Sequence, residues 1–249
     1  MILIPPPRGL GRDTARRREA REALARVIWD PRGQRRLPSE RALAAAMSAC
    51  DRRDVWWVCE ASSAGPVYLL PTREWIRALA RVIDGLDVKS VLEIAAGDGF
   101  LSSCLGRERP KLVVRATDDG SWSRPTARMT AQERETMSDV HGIAMPSSVL
   151  RQAASTAVRA MRPDLVLVSW APPGLLVERA IRGPTRYVLD IGVDGDVCGN
   201  GERTWRFEKD FLDGPIEARA LCRLDARPLV EPRKTRVTLY YGSIGRSSA

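Results

Sequence analysis

Residues 91–101 read VLEIAAGDGFL. Apolar Val91, Leu92 and Ile94 bracket a single acid, Glu93, and the chain then runs through Ala95, Ala96, Gly97, Asp98 and Gly99, almost without side chains. A short apolar run followed by glycines and a new apolar stretch predicts a strand, a tight turn and a helix. Glycines let the backbone bend sharply and let a nucleotide-like ligand come close to it. The dinucleotide-binding fingerprint G-x-G-x-x-G would need a third glycine at position 102, which is Ser102. That fingerprint fails, and the acid inside the strand asks for another explanation.

Outward from this turn, apolar runs alternate with helical periodicity. Ser90 to Ile94, Leu112 to Thr117, Leu165 to Ser169 and Arg186 to Ile191 read as strands of parallel β-α-β units. The later runs Ile216 to Leu224 and Thr235 to Tyr241 have no good helix between them and read as a closing antiparallel hairpin. Upstream, residues 12–29 have helical spacing, with the Arg16-Arg17-Arg18 run on the solvated face. A second helix opens at Ser39, with Leu43, Met47 and Cys50 on its inner stripe. The run VWWVC (55–59) fits a strand or a buried helix, and its two tryptophans read as core. Pro71-Thr72 starts a helix that buries Trp75, Ile76, Leu79, Val82 and Ile83 and ends near Gly85. Residues 1–65 therefore read as a helical N-terminal extension, and 66–249 as the ligand-binding domain.

The 249 residues are 44% hydrophobic, enough for a substantial core. No run approaches the roughly 18 apolar residues of a membrane span, and the prolines and arginine of MILIPPPRGLGR argue against a secretory leader. Five scattered cysteines without a C-x-x-C pair suggest reduced thiols and a cytoplasmic location. The net charge is +9 and nearly all of it comes from arginine. A nucleic-acid partner would need that charge gathered on one face.

The spacing acid, apolar residue, small-x-Gly-x-Gly in Glu93 to Gly99 resembles motif I of the class I S-adenosylmethionine-dependent methyltransferases, with Ala95 where the first glycine usually stands. Strand two ends in Asp118 and Asp119, and Asp118 lies 21 residues after Gly97 (118 − 97), where ribose hydroxyls are held. PDLVLVSWAPPG (163–174) resembles motif IV, at the edge where the target atom meets the methyl group. Over roughly 66–242 the chain is similar to a little-described subgroup with a Trp-x-Pro-Pro type motif IV. Its further marks are Tyr68-Leu69-Leu70-Pro71 and the glycine loop of YVLDIGVDGDVCGNG from Tyr187. The resemblance implies a Rossmann-like, mostly parallel α/β sheet and S-adenosyl-L-methionine as cofactor. Glu93 would favour the ligand's cationic end, and backbone N–H groups at the helix start would receive its carboxylate. Ala95, Gly97, Asp98, Gly99, Asp118 and Asp119 would shape its seat, and Tyr68 would cover it. An acid usually follows strand three; in DVHGIAMPSS the position falls at Ala144 or Met145, so adenine would be held by packing. Amino-methyltransferases carry Asn, Asp or Ser directly before Pro-Pro, but here that residue is Ala171. Ser169 and Trp170 are the candidates that would position the acceptor.

Methyl transfer is an in-line displacement that needs placement more than acid–base chemistry. His141 is a weak candidate for a base. Asp190, Asp194 and Asp196 would form a cation site only if they were more than turn formers, so no metal is expected. The expected acceptor is a small molecule, with nucleic acid not favoured, no membrane partner and no expectation for oligomeric state. Two alternatives stand beside it: RNA or protein methyl transfer using the arginine-rich N-terminus, and an inactive methyltransferase-like binding or scaffold protein.

Overall fold

A computed structural model describes residues 14–60, 66–121, 145–171, 174–192, 202–212, 221–222 and 236–245. His141, Ala144, Pro172, Pro173, Asp194, Asp196 and Cys198 lie outside the described residues, as does the side chain of Trp56. By packing, the described residues fall into two units: 14–60, 66–75 and 221–222 in one, and the remainder in the other.

The first unit begins with α1 (Ala15–Ile28), α2 (Glu40–Ser48) and α3 (Arg52–Glu60). Thr14 and Ser39 cap α1 and α2, their side-chain oxygens accepting from the N–H groups of Arg17 and Ala42. The ambiguous VWWVC run is helical. Leu24, Ile28, Trp29, Leu43, Val58 and Cys59 join in one apolar core. Cys59 and Cys104 are buried and Cys50 is half-buried. A two-stranded antiparallel ladder pairs β1 (Leu69–Leu70) with Leu221–Cys222.

One expectation fails in this unit. Arg17 is not simply solvated: its guanidinium contacts both Asp51 and Asp54. Arg21, one turn on, is fully buried against the same Asp54 (3.0 Å). Helical spacing of four puts both arginines on one face, and α3 brings the acid to them. Arg16 and Arg18 are exposed.

Helix α4 (Arg73–Gly85) leads into the second unit, with the Thr72 hydroxyl accepting from the Trp75 N–H. The remaining elements are β2 (Ser90–Ile94), α5 (Phe100–Glu108), β3 (Val113–Asp118), β4 (Val149–Arg151), α6 (Ala154–Met161), β5 (Leu165–Ser169), α7 (Leu176–Ile181), β6 (Tyr187–Gly192), α8 (Glu202–Trp205), β7 (Lys209–Phe211), and β9 (Arg236–Tyr241), with the Leu221–Cys222 strand as β8. The seven-stranded sheet runs β4-β3-β2-β5-β6-β9-β7. Its first five strands are parallel, and β9 is antiparallel to both β6 and β7. This is a Rossmann-like α/β sheet closed by an antiparallel hairpin, alongside a helical N-terminal region.

The hairpin is built differently from the sequence expectation. The strand beside β9 is Lys209–Phe211. Of the expected Ile216 to Leu224 only Leu221 and Cys222 are described, and they pair with β1, while the rest of that run lies outside the described residues. An edge strand of three residues with a charged centre carries no apolar run to betray it. Strand three was expected to end before Ala144 or Met145, but the third parallel strand, β4, lies after Met145, so Met145 precedes it and Gln152 follows it.

Central β2 and β5 are buried almost throughout, as parallel strands covered on both faces must be. Leu92, Ile94, Val166, Val168 and Val188 pack against α6 and α7. Alternation turns Glu93 to the opposite face, under α5. Among the described residues no helix is long and apolar enough to cross a membrane.

Candidate functional site

In the register of the sheet Ile94 lies beside Thr117 and Val168, Asp118 beside Arg151, and Ser169 beside Ile191. The carboxyl ends of all five parallel strands therefore share one edge. Strand order reverses between β2 and β5, and such a switch point opens a crevice for ligands. The turns after these two strands carry unusual backbone. Ala95 has φ +52° and Trp170 φ +55°, left-handed values that non-glycine residues rarely adopt. Strain of this kind persists where the surroundings impose it and clusters at functional sites.

The glycine turn is held by a web of hydrogen bonds. Asp118, buried, accepts from the Gly97 N–H (2.9 Å) with one oxygen and from the Gly120 N–H (2.7 Å) with the other. Asp98 accepts from the Phe100 N–H at 3.0 Å, and Gly99 donates to the Ala96 carbonyl at 2.9 Å. Gly99 has φ +66°, and a Cβ there would stand 2.5 Å from Val149 Cγ2, so both conformation and space demand glycine.

Glu93 answers the question its sequence position raises. Its Oε2 accepts from the Ser102 N–H (2.9 Å) and from the Ser102 hydroxyl (2.5 Å). Ser102 is the third residue of α5, so the carboxylate serves as a remote cap at the positive end of that helix. Burial pushes its pKa up to about 7; the Ser102 bonds oppose that rise, and the charges of Asp98 and Asp118 add to it.

Beside this web, a cavity of about 150 Å³ opens on the other face of the sheet. Ile94 and Ala95 line it from β2, Asp119 and Ser121 from the end of β3, and Gln152 to Ser155 from the end of β4. Leu176, Arg179 and Ala180 of α7 close it. Of the two acids ending strand two, Asp118 is thus committed to the glycine turn and Asp119 faces the cavity, with its Oδ1 accepting from the Ser121 N–H. The amides expected to receive a ligand carboxylate are largely engaged, because those of Gly97, Gly99, Phe100 and Ser102 already donate within the chain.

Ser169 is half-buried at the end of β5. Trp170 follows it, its backbone N–H donating to the Ile191 carbonyl at 2.8 Å, while its indole N–H is buried without a hydrogen-bond partner. Ala171 is buried. Tyr68 is exposed and belongs to the helical unit, and Met145 is half-buried outside the cavity wall. Gln152 lines the cavity and is not among the expected site residues, because strand three was expected upstream; the apolar pair Val149-Leu150 was the available signal. Asp190 is buried within β6, between Val168 and Thr238. Among the described residues no group of three or more His, Cys, Asp or Glu side chains is arranged to hold a metal ion.

No family model matches the chain, and no curated protein matches it. Solved structures do. The Pyrococcus abyssi tRNA (uracil-54, C5)-methyltransferase, in complex with S-adenosyl-L-homocysteine, is similar at 16% identity and a TM-score of 0.37 over 66% of this chain. The chain spans only 38% of that protein's length. The precorrin-6y C5,15-methyltransferase of Geobacter metallireducens is similar at 10% identity, TM-score 0.37, covering 67% of this chain and 87% of that one. M. capricolum TrmK in complex with S-adenosyl-homocysteine is similar at 8% identity, TM-score 0.37, covering 68% and 67%.

Proposed function

We propose that the carboxyl edge of the sheet binds S-adenosyl-L-methionine and that the protein transfers its methyl group to an acceptor held beside β5. The observation that carries this reading is the charge of the site. Glu93, Asp98, Asp118 and Asp119 surround or adjoin the turn, and its amides are already spent on the chain's own acceptors. A pyrophosphate would find acids where it needs donors, whereas a ligand carrying a sulfonium and an ammonium suits this field. The resemblance of Glu93 to Gly99 to motif I points to the same ligand.

The cavity is smaller than the roughly 300 Å³ at which whole small-molecule sites begin, so it suits one end of an extended ligand. Ile94, Val158 and Leu176 offer apolar walls to a flat base, Gln152 a neutral amide to its edge, and Asp119 a carboxylate to sugar hydroxyls. When bound, the cofactor supplies an electrophilic methyl group on sulfur. Ser169 and Trp170 then have the positioning role: the strained turn at Trp170 fixes the direction in which the β5 edge presents an acceptor.

The sequence favours a small-molecule acceptor. A polymeric acceptor is a second reading, favoured by one observation, the clustering of arginines around Glu178. Calorimetric titration with S-adenosylmethionine and S-adenosylhomocysteine tests the cofactor. Both should bind, Asp119→Ala should weaken each by about tenfold through the lost charge-assisted bonds, and Gly97→Arg should abolish binding. No heat with either compound would sink the reading and leave the scaffold alternative.

A further inference from the structure

We propose that the surface formed by α7, α8 and β7 is a docking face for single-stranded nucleic acid. Three guanidiniums converge on one carboxylate there: Arg182 (3.1 Å), Arg206 (2.6 Å) and Arg203 (3.9 Å) all meet Glu178. Each arginine side chain is more than half exposed, while Glu178 is 12% exposed. One acid against three cations leaves an excess of two positive charges (3 − 1). They are also held in place, since the guanidiniums of Arg182 and Arg206 lie 5.4 and 5.2 Å from the centre of the buried Phe207 ring.

Next to this cluster an aromatic pair stands in water. Trp205 is 55% exposed and Phe211 44%, with ring centroids 6.1 Å apart. Lys209 places its ammonium 5.1 Å above the Trp205 ring. Strand alternation keeps two nearby acids off this face: Asp210 points the other way and accepts from the Tyr241 hydroxyl (2.6 Å), and the charge of Glu208 also bears on Tyr241. Fixed, half-exposed guanidiniums are suited to phosphate oxygens. An exposed indole beside them offers a platform on which an unpaired base stacks without regard to sequence. An acidic protein would satisfy the arginines, but flat bases joined by phosphates engage the guanidiniums and the indole at once. A membrane surface is less suited, because α8 is a single turn with no apolar stripe to insert.

This inference does not depend on the cofactor. If both readings hold, the polymeric acceptor gains over the small molecule, because α7 carries both the docking face and one wall of the methyl-donor cavity.

The test is fluorescence anisotropy of a short labelled oligouridine titrated with the full chain at several salt concentrations. Binding should weaken with salt, with a logarithmic slope of about −0.7 for each phosphate neutralised. Trp205→Ala should weaken it about tenfold with the slope unchanged. Arg203→Glu should weaken it at least as much and make the slope shallower. An unchanged urea midpoint in both variants shows that they fold. No oligonucleotide binding, binding indifferent to both substitutions, or retention on anionic vesicles in place of the oligonucleotide would each overturn the proposal.

Discussion

Two buried acids in this molecule live under opposite regimes. Asp54, in the helical unit, is 2% exposed and is gripped by Arg17 and Arg21 and by the Asp51 N–H. Burial pushes its carboxyl up, but the arginine hydrogen bonds outweigh that and hold it below the ordinary carboxylate range. Glu93, in the sheet unit, is 3% exposed, yet it receives only the two Ser102 donors and has Asp98 and Asp118 as charged neighbours. The chain supplies Asp54 with its counter-charge, so that acid is architectural. For Glu93 the charged neighbours are of its own sign, and the sulfonium of the proposed cofactor would supply the missing counter-charge.

The largest effect should come from Asp54→Ala. It takes the shared carboxylate from buried Arg21, and breaking a buried pair costs about 3–5 kcal/mol, read as a fall in the urea midpoint. Asp54 stabilises the fold above its unfolded pKa near 3.8 and loses that contribution only as pH falls through its lower folded value. Glu93 runs the other way. Its folded pKa of about 7 lies above the ordinary 4.5, so stability is full below 4.5 and declines as pH rises through 7. The decline is on the order of 3 kcal/mol.

Glu93→Gln should therefore flatten the denaturation profile between pH 5 and 8, stabilise the protein at pH 8, and weaken S-adenosylmethionine. If that variant destabilised the protein as Asp54→Ala does, the contrast would vanish. In the parent, affinity for the sulfonium should rise from pH 6 to pH 8, with proton release visible in buffers of different ionisation enthalpy. Ser102→Ala should have the smallest effect, about 1–2 kcal/mol from the lost hydroxyl bond. It should also move the Glu93 transition to still higher pH.

Much of the sheet was legible because β2, apart from Ser90 and Glu93, and β5, apart from Ser169, are short apolar runs bounded by turn residues. Strand β4 was not, since only three residues pair and two of them are exposed. For the hairpin, the alternation in Ile216 to Leu224 outcompeted Lys209–Phe211, which earns its place through pairing with β9 and not through its own apolarity. At the site, the acid, the glycines and the strand-two pair were visible as spacing. Which of Asp118 and Asp119 turns toward the glycines depends on the register with β2, which no local pattern encodes. The Arg17–Asp54–Arg21 cluster is hidden for a similar reason: its members are brought together by the packing of α1 on α3.

The contact between Gly99 and Val149 carries an evolutionary consequence. A lineage that shortened position 149 to alanine would lift the steric part of the ban at position 99, leaving only the backbone penalty. The two sites are thus epistatic, and among related chains a side chain at the first should be found only where the second has become small.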